Sequence, residues 1–189
     1  MIILLLSGYA GSGKDTFADI LMELFESKKI SYKKYAFADE VKKDISEMYK
    51  DSLTYESLLT QEGKAKLIET TEGVKTARQL LIEHSANMKK TNGNDYWAQI
   101  VCKQIDSSID IHIISDWRYN IEYETIYSYF HKEKIFTIRI NRPYIKILSD
   151  PSEHELDDKS FDFIINNHLT LDYLKMKANE LLNYFCETF

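Results

Sequence analysis

The chain has 189 residues, of which 44% are hydrophobic and 29% charged, and its formal net charge is −6. This length predicts one domain with a sizeable core, and the acidic balance excludes a broad nucleic-acid-binding surface. Cys102 and Cys186 match no metal-ligand spacing. The first apolar run is too short for a membrane span or a secretory signal. We therefore expect a cytoplasmic protein with reduced cysteines and no membrane or nucleic acid polymer as a partner.

A glycine-rich loop follows the first apolar run. Residues 2–6 predict a strand buried on both faces, and residues 17–25 repeat apolar side chains at helical spacing. Between them stands Gly-Tyr-Ala-Gly-Ser-Gly-Lys-Asp-Thr, residues 8–16. Strand, Gly-x4-Gly-Lys loop and helix are the context of a P-loop, whose backbone N–H groups cradle phosphate at a helix start. The residues predicted to bind ATP are Gly11, Ser12, Gly13, Lys14, Asp15 and Thr16.

The rest of the chain alternates predicted strands and helices. The predicted strands are 31–37, 111–116, 135–140 and 161–165, and the predicted helices are 38–48 with Asp39 as a possible N-cap, 76–88, one capped by Asp95, 120–130 and 171–185. We expect a mobile segment over 51–74 with one short helix near 55–67, a turn over 89–94, and an irregular lid over 142–158. This alternation predicts an α/β fold whose five-stranded parallel sheet has helices on both faces.

A second group of polar residues follows the predicted strand at 111–116. Asp116 ends that strand, which is a Walker-B-like position able to hold Mg²⁺ through water. Arg118 lies two residues further on, where its planar fork could clamp phosphate or neutralise transition-state charge. The alternative is a helix-capping aspartate with an arginine partner. Arg142 follows the next strand and is the preferred lid residue. In such folds ligands bind beyond the C-terminal strand ends, where Asp39 also falls.

These motifs resemble those of the deoxynucleoside monophosphate kinases of bacteriophages and large DNA viruses. Gly-Ser-Gly-Lys-Asp-Thr at 11–16 is similar to that family's P-loop, in which Ser or Thr does not follow the lysine directly. Asp-x-Arg-x-x-x-Glu at 116–122 is similar to its acceptor element. Further similar segments are Phe37-Ala38-Asp39-Glu40-Val41-Lys42, Arg78-Gln79-Leu80-Leu81, Asp95-Tyr96-Trp97 and residues 161–167 with Leu171 and Leu174. The matches run nearly end to end.

The resemblance implies a P-loop NTPase three-layer sandwich with sheet order 2-3-1-4-5. It implies one kinase domain over 1–189, with an acceptor-binding helical insertion at about 39–95 and a lid at about 142–158. The implied reaction is Mg-ATP-dependent phosphorylation of a deoxynucleoside 5′-monophosphate to the diphosphate. Small-molecule nucleotides are the implied partners, and a homodimer is possible. The implied catalytic residues are Lys14, Arg118 and Arg142. The implied acceptor-binding residues are Tyr9, Phe37, Asp39, Lys42, Arg78, Trp97, Asp116, Arg118 and Glu122. The implied metal residues, acting through water, are Asp15, Thr16 and Asp116.

Some positions depart from the family pattern and leave alternatives open. Residues 83–86 read Glu-His-Ser-Ala where the family has Gly-Thr, and Tyr9 stands where relatives are often basic. Tyr9 could stack on the acceptor base, wall it off, or pack against the loop. His112 lies mid-strand and predicts a packed histidine. Ser152-Glu153-His154-Glu155 resembles a Ser-Glu element that follows the lid in relatives, but acidic loop residues are usually solvated. Another P-loop small-molecule kinase, such as a phosphomevalonate-type enzyme, or a non-catalytic nucleotide-binding regulator remains possible.

Overall fold

The computed structural model describes residues 1–145, 151–168 and 170–188. Within these ranges the elements are, in chain order, β1 (Ile2–Ser7), α1 (Lys14–Ser27), β2 (Tyr32–Tyr35), α2 (Ala38–Met48), α3 (Gln61–Ala65), β3 (Leu67–Thr70), β4 (Gly73–Thr76), α4 (Ala77–Asn92), α5 (Tyr96–Gln104), β5 (Ile111–Ile114), α6 (Asn120–Phe130), β6 (Lys134–Asn141), β7 (Phe163–Asn166) and α7 (Leu171–Thr188). Single 3₁₀ turns lie at Ser57–Leu59 and Pro151–Glu153. The chain divides into two compact units, one of Met1–Ala36 with the described part of Val101–Phe189, the other of Phe37–Ile100.

The first unit is built on a parallel sheet of five strands in the order β2-β5-β1-β6-β7. Counted among themselves, these strands run second, third, first, fourth, fifth, so the order implied by the resemblance is confirmed. The central strand β1 is buried along its whole length. Its neighbours meet it in register, with Ile2 opposite both Ile111 and Lys134. A strand buried on both faces of a parallel sheet needs apolar side chains at successive positions, which the run at 2–6 supplies.

Alternate residues of the sheet belong to different faces. Leu4 and Leu6 of β1 share one buried core with Phe17 of α1 and Leu181 of α7, so these two helices cover that face. The intervening residues of β1 are equally buried, which shows that the opposite face is covered as well. The first unit therefore has the predicted α/β layering of helices on both sides of a parallel sheet.

His112 of β5 is fully buried, and its Nδ1 lies 3.2 Å from the Tyr35 hydroxyl. Burial lowers the pKa of His112 despite nearby groups that raise it. The prediction of a packed histidine is confirmed.

The second unit has its own small core. Its buried members are Ile45, Leu53, Leu58, Ile68, Ala77 and Leu80. They come from α2, the segment after it, the antiparallel hairpin β3–β4 and α4. The short helix predicted near 55–67 corresponds to α3, Gln61–Ala65, but the hairpin β3–β4 was not predicted. Only Ile68 of β3 is buried, and a strand with one buried side chain carries too little alternation to be recognised from sequence.

Helix α2 has the predicted bounds, but its N-cap differs from prediction, and α4 ends later than predicted. Phe37 rather than Asp39 is the N-cap of α2, and Asp39 lies in the first helical turn, where the helix dipole stabilises a carboxylate. Helix α4 continues to Asn92 and ends at Gly93, so the predicted turn over 89–94 was largely wrong. The helix dipole stabilises cations in the last turn of a helix, so Lys89 and Lys90 continue α4 and Gly93 alone marks its end.

In the described part of the chain, no helix combines the length and the apolar character needed to cross a membrane.

Candidate nucleotide and phosphate site

The loop between β1 and α1 has the backbone of an anion-binding turn. Gly13 is the N-cap of α1 in the left-handed region, at φ 98°, and a Cβ there would collide with the Asn167 side-chain amide. At Gly8 a Cβ would collide with the Ile140 carbonyl oxygen of β6. Gly13 is required because its dihedral angles lie in the left-handed region, and Gly8 is required because a neighbouring strand lies too close for a side chain.

The start of α1 offers unpaired backbone donors. The first hydrogen bond into the helix runs from Phe17 N–H to the Gly13 carbonyl. The N–H groups of residues 13–16 donate to no atom of the described residues. Ser12 Oγ is also buried without a partner within the described ranges. Unpaired N–H groups at the positive end of a 14-residue helix form an anion site.

Lys14 is buried at the head of this helix. Its Nζ donates to the carbonyl oxygens of Gly8, at 2.7 Å, and Tyr9, at 3.0 Å. Burial lowers the pKa of Lys14, and the charge of Arg118 lowers it further, whereas nearby carboxylates oppose the shift. Those carboxylates include Glu153 and Asp116. The predicted phosphate lysine thus shares one electrostatic environment with the predicted phosphate arginine.

The loop after β5 is held by Glu122. Its Oε2 accepts hydrogen bonds from the N–H groups of Arg118, at 2.8 Å, and Tyr119, at 3.0 Å. Glu122 is buried, and Asp116 is half-buried in the turn two residues beyond the end of β5, whereas the predicted strand extended to Asp116. Glu122 therefore fixes the backbone that presents Arg118, and its contact with an acceptor stays a prediction.

Glu153 is the residue that sequence reasoning missed. Its Oε2 accepts from the Ala10 N–H of the loop at 2.8 Å, and its Oε1 accepts from Arg118 Nη1. Only 6% of the residue is exposed, so the interpretation of the acidic residues at 152–155 as solvated was wrong here. Burial raises the pKa of Glu153, but the Arg118 guanidinium, the Ala10 N–H and Lys14 together hold it below its usual range. The similarity of Ser152-Glu153 to a family element was the one available signal.

Tyr9 packs within the first unit. Its hydroxyl donates to Asp157 Oδ1 at 2.8 Å, and the Arg139 guanidinium lies 4.7 Å from its ring centre. Burial and the Asp157 carboxylate raise the pKa of Tyr9. Arg139 is itself buried, donating to Ser7 and Asp157. Of the alternatives for Tyr9, packing is what these contacts show, and contact with an acceptor base stays a prediction.

Arg142 lies beside the loop. Its Nη1 is 3.4 Å from the Gly11 carbonyl oxygen. A cavity of about 480 Å³ is lined by Tyr9, Asn141, Arg142, Pro143, Asn166 and His168. The volume of this cavity suits a small-molecule ligand. Asn167 follows β7, and its side-chain amide donates to the Ser12 carbonyl at 2.8 Å. Residues 146–150 of the predicted lid lie outside the described residues.

Asp15 and Thr16 are both exposed in the first turn of α1. The Asp15 carboxylate lies 3.9 Å from Lys34 Nζ, and the same lysine is 3.0 Å from Asp19. Their predicted roles through metal-bound water stay predictions.

The other predicted acceptor residues belong to the second unit. Asp39 accepts from Lys42 Nζ at 2.9 Å, and burial together with Asp39 raises the pKa of Tyr55 to about 12. Arg78 is exposed, and its Nη2 donates to Gln61 at 2.6 Å. Two more are buried, Phe37 at 4% exposure and Trp97 at 3%. The structure brings Asp39 and Lys42 together, and the acceptor roles of all five predicted residues stay predictions.

No protein-family model matches the chain, and no curated protein sequence matches it. Among solved structures, it is similar to a mutant of the APS kinase CysC of Mycobacterium tuberculosis, with 11% identity, a TM-score of 0.50 and 96% of each chain covered. It is also similar to that kinase in complex with AMPPNP and APS, with 10% identity, a TM-score of 0.48 and 96% of each chain covered. A sugar kinase from Janibacter sp. HTCC2649 has 10% identity and a TM-score of 0.44, with 96% of this chain and 94% of that chain covered.

At 11% identity the first of these likenesses shows the fold and nothing finer. The chain shares the α/β fold of that structure, and the glycine loop with the start of α1 forms its candidate phosphate site.

Proposed function

We propose that the protein is a Mg-ATP-dependent kinase that phosphorylates a deoxynucleoside 5′-monophosphate to the diphosphate. The observation that supports this best is the charge arrangement at the loop. The unpaired N–H groups of residues 13–16 and Lys14 suit a nucleotide triphosphate. Arg118 lies within the electrostatic field of Lys14 and comes from a separate element. A second cation near the cradle suits an acceptor that carries its own phosphate.

In the proposed reaction, an oxygen of the acceptor phosphate attacks the γ-phosphorus in line. The bond from that phosphorus to the β-phosphate oxygen breaks, and ADP leaves with the electron pair. The protein needs no nucleophile, since its work is to position two anions and to neutralise their charge. Lys14 exchanges its two carbonyl partners for the β- and γ-phosphates. Arg118 binds the acceptor phosphate, and Arg142 closes over the donor.

The residues present fit Mg²⁺. This ion is usually held by one or two carboxylates together with substrate phosphates and several waters. Asp15, Thr16 and Asp116 supply oxygen atoms of that kind near the loop. Within the described ranges no group of three or more His, Cys, Asp or Glu side chains could hold a metal, which agrees with an ion held mainly by the substrate phosphates and water. When bound with the nucleotide, the ion neutralises charge that develops on the phosphate oxygens.

The test is a panel of acceptors with ADP release as the readout. Deoxynucleoside and ribonucleoside monophosphates are offered with Mg-ATP, alongside phosphomevalonate. We expect ADP formation that requires a deoxynucleoside monophosphate. ADP formation with phosphomevalonate alone would assign a different small-molecule kinase. ATP binding without acceptor-dependent turnover would assign a nucleotide-binding regulator.

The first prediction concerns Lys14. Lys14→Ala removes one preorganised charge from the phosphate cradle, which typically costs roughly 3–4 kcal/mol of transition-state stabilisation, about a hundred- to thousandfold in turnover. Steady-state kinetics and circular dichroism on the same preparation measure the loss and confirm the fold. Lys132→Ala is the matched control, because this exposed lysine lies between α6 and β6. Near-normal turnover by folded Lys14→Ala would contradict the phosphate role of the loop.

A further inference from the structure

Glu153 connects two parts of the candidate site that are far apart in sequence. It ends the 3₁₀ turn Pro151–Glu153, yet its side chain is 3% exposed. One carboxylate oxygen binds the Ala10 N–H, and the other binds the Arg118 guanidinium. A single side chain therefore sets the spacing between the glycine loop and the arginine.

This contact leaves most of the arginine available. A guanidinium has five N–H donors in a fixed plane. Glu153 accepts from this group at Nη1, whereas Glu122 accepts from the backbone N–H of Arg118. About a third of the arginine side chain, 31%, is exposed. The remaining donors can face a phosphate while the contact with Glu153 fixes the plane of the group.

The segment that carries Glu153 is itself tied down. Asp157 accepts from Tyr9 Oη at 2.8 Å and from Arg139 Nη2 at 2.9 Å. Glu155 accepts from the Asn120 N–H at 2.8 Å. These contacts of neighbouring residues fix the position of the Glu153 carboxylate. A side chain that orients another must itself be held in place in this way.

We propose that Glu153 is a positioning residue for phosphoryl transfer, acting through Arg118. This rests on the proposed function. Its carboxylate, kept anionic by the cations around it, holds the guanidinium in one orientation relative to the loop. Displacing a positioned group by about 1 Å can cost up to about a hundredfold in rate without affecting ground-state binding equally. Loss of Glu153 therefore acts on turnover more than on ATP affinity.

A different role for Glu153 would predict a different effect of its removal on ATP binding. If the carboxylate merely occupied the phosphate site, ATP would have to displace it, and removing its charge would tighten ATP binding. The contacts favour positioning, because Glu153 binds the Ala10 N–H whereas the unpaired N–H groups of the cradle belong to residues 13–16.

The experiment compares Glu153→Gln with Asp158→Asn in the full chain. The matched control removes the charge of an exposed carboxylate in the same segment. We expect Glu153→Gln to lower kcat about ten- to hundredfold with an ATP dissociation constant changed less than about twofold, and Asp158→Asn to change neither. Tighter ATP binding by Glu153→Gln, or equal losses in both variants, would overturn the proposal.

A double variant separates positioning from a general structural effect. If Glu153 acts through Arg118, adding Glu153→Gln to Arg118→Ala lowers kcat no further than Arg118→Ala alone. Multiplicative losses would overturn the proposal. Should Glu153→Gln fail to fold, Glu153→Asp replaces it, since it keeps the charge and shortens the side chain by one methylene. The proposed function fails separately, if wild-type protein shows no acceptor-dependent ADP formation, and ATP binding by each variant remains measurable in that case.

Discussion

At the scale of single residues, Asp15 is where this loop departs from the general P-loop motif. Lys34 lies closer to Asp19 than to Asp15, at 3.0 Å against 3.9 Å, and the Asp15 side chain is 80% exposed. An exposed pair at that distance contributes little to stability. The Asp15 carboxylate is therefore free of any strong partner in the described ranges and lies in the first turn of α1, next to the phosphate cradle.

We accordingly expect Asp15→Asn to raise the Mg²⁺ concentration needed for half-maximal rate, with a smaller effect at saturating metal. The reason is that the carboxylate accepts hydrogen bonds from metal-bound waters better than an amide does. Asp19→Asn is the control, because it removes the other carboxylate beside Lys34 and lies one turn further from the cradle. A Mg²⁺ titration of both variants tests this expectation. Identical curves would mean that Asp15 has no role in metal binding and makes only its ion pair with Lys34.

Single residues could be predicted from sequence where a local motif contains them. Lys14 and Arg118 were predicted from loop spacing and from the end of a strand. The structure places them in one electrostatic environment, and their contacts with phosphate stay predictions. Glu153 was interpreted as solvated, because its burial depends on a contact with Ala10 across the fold, and no local spacing encodes such a contact. Tyr9 was left with three alternatives for the same reason.

At the scale of elements, the end of β7 supports the start of α1. The Asn167 amide donates to the Ser12 carbonyl, and its position leaves no room for a Cβ at Gly13. The shape of the phosphate cradle therefore depends on a residue that follows β7, far from the loop in the sequence.

Asn167→Ala should raise the ATP KM about two- to tenfold, as expected for loss of a hydrogen bond worth about 0.5–1.5 kcal/mol. Asn179→Ala is the control, since its amide likewise donates to a backbone carbonyl at 2.8 Å, but on the exposed surface of α7. Kinetics with varied ATP measure both. An equal shift in the two variants would show a general loss of stability and no specific support of the loop.

Elements with strong periodicity were predictable, and those held by distant contacts were not. Helix α6 has the predicted bounds, Asn120–Phe130, and the five sheet strands lie within a few residues of prediction. The hairpin β3–β4 was missed, because its exposed residues Leu67 and Val74 and its single buried Ile68 break the alternation that marks a strand. Its place is determined by the small core of the second unit.

At the scale of the whole molecule, the two units have separate buried clusters. No residue of the cluster around Leu58 also belongs to the cluster around Leu21 within the described ranges. Local opening follows the distribution of buried apolar contacts. The two cores should therefore respond separately to cavities of similar size.

Leu58→Ala should destabilise the second unit by about 2–5 kcal/mol, because the residue is fully buried. Hydrogen exchange should show faster exchange in α2 and α4, with α1 and β1 little changed. Leu21→Ala, which empties a fully buried position in the other core, should give the reverse pattern. Equal acceleration everywhere in both variants would mean that the chain opens as one cooperative body.

The pairing of β1 also has a consequence for folding during synthesis. Its two partners, β5 and β6, are made much later than β1 itself, and Gly8 packs against Ile140 near the end of β6. A chain emerging at about 5–20 residues per second carries an apolar strand with two open edges for several seconds. We expect the nascent chain to be unable to use nucleotide to stabilise itself in that interval, because the loop packs against Ile140 of β6 and Asn167 after β7. Long-range parallel pairing of this kind folds slowly and exposes the chain to aggregation, so we expect the yield of folded protein to depend on chaperone capacity more than on nucleotide supply.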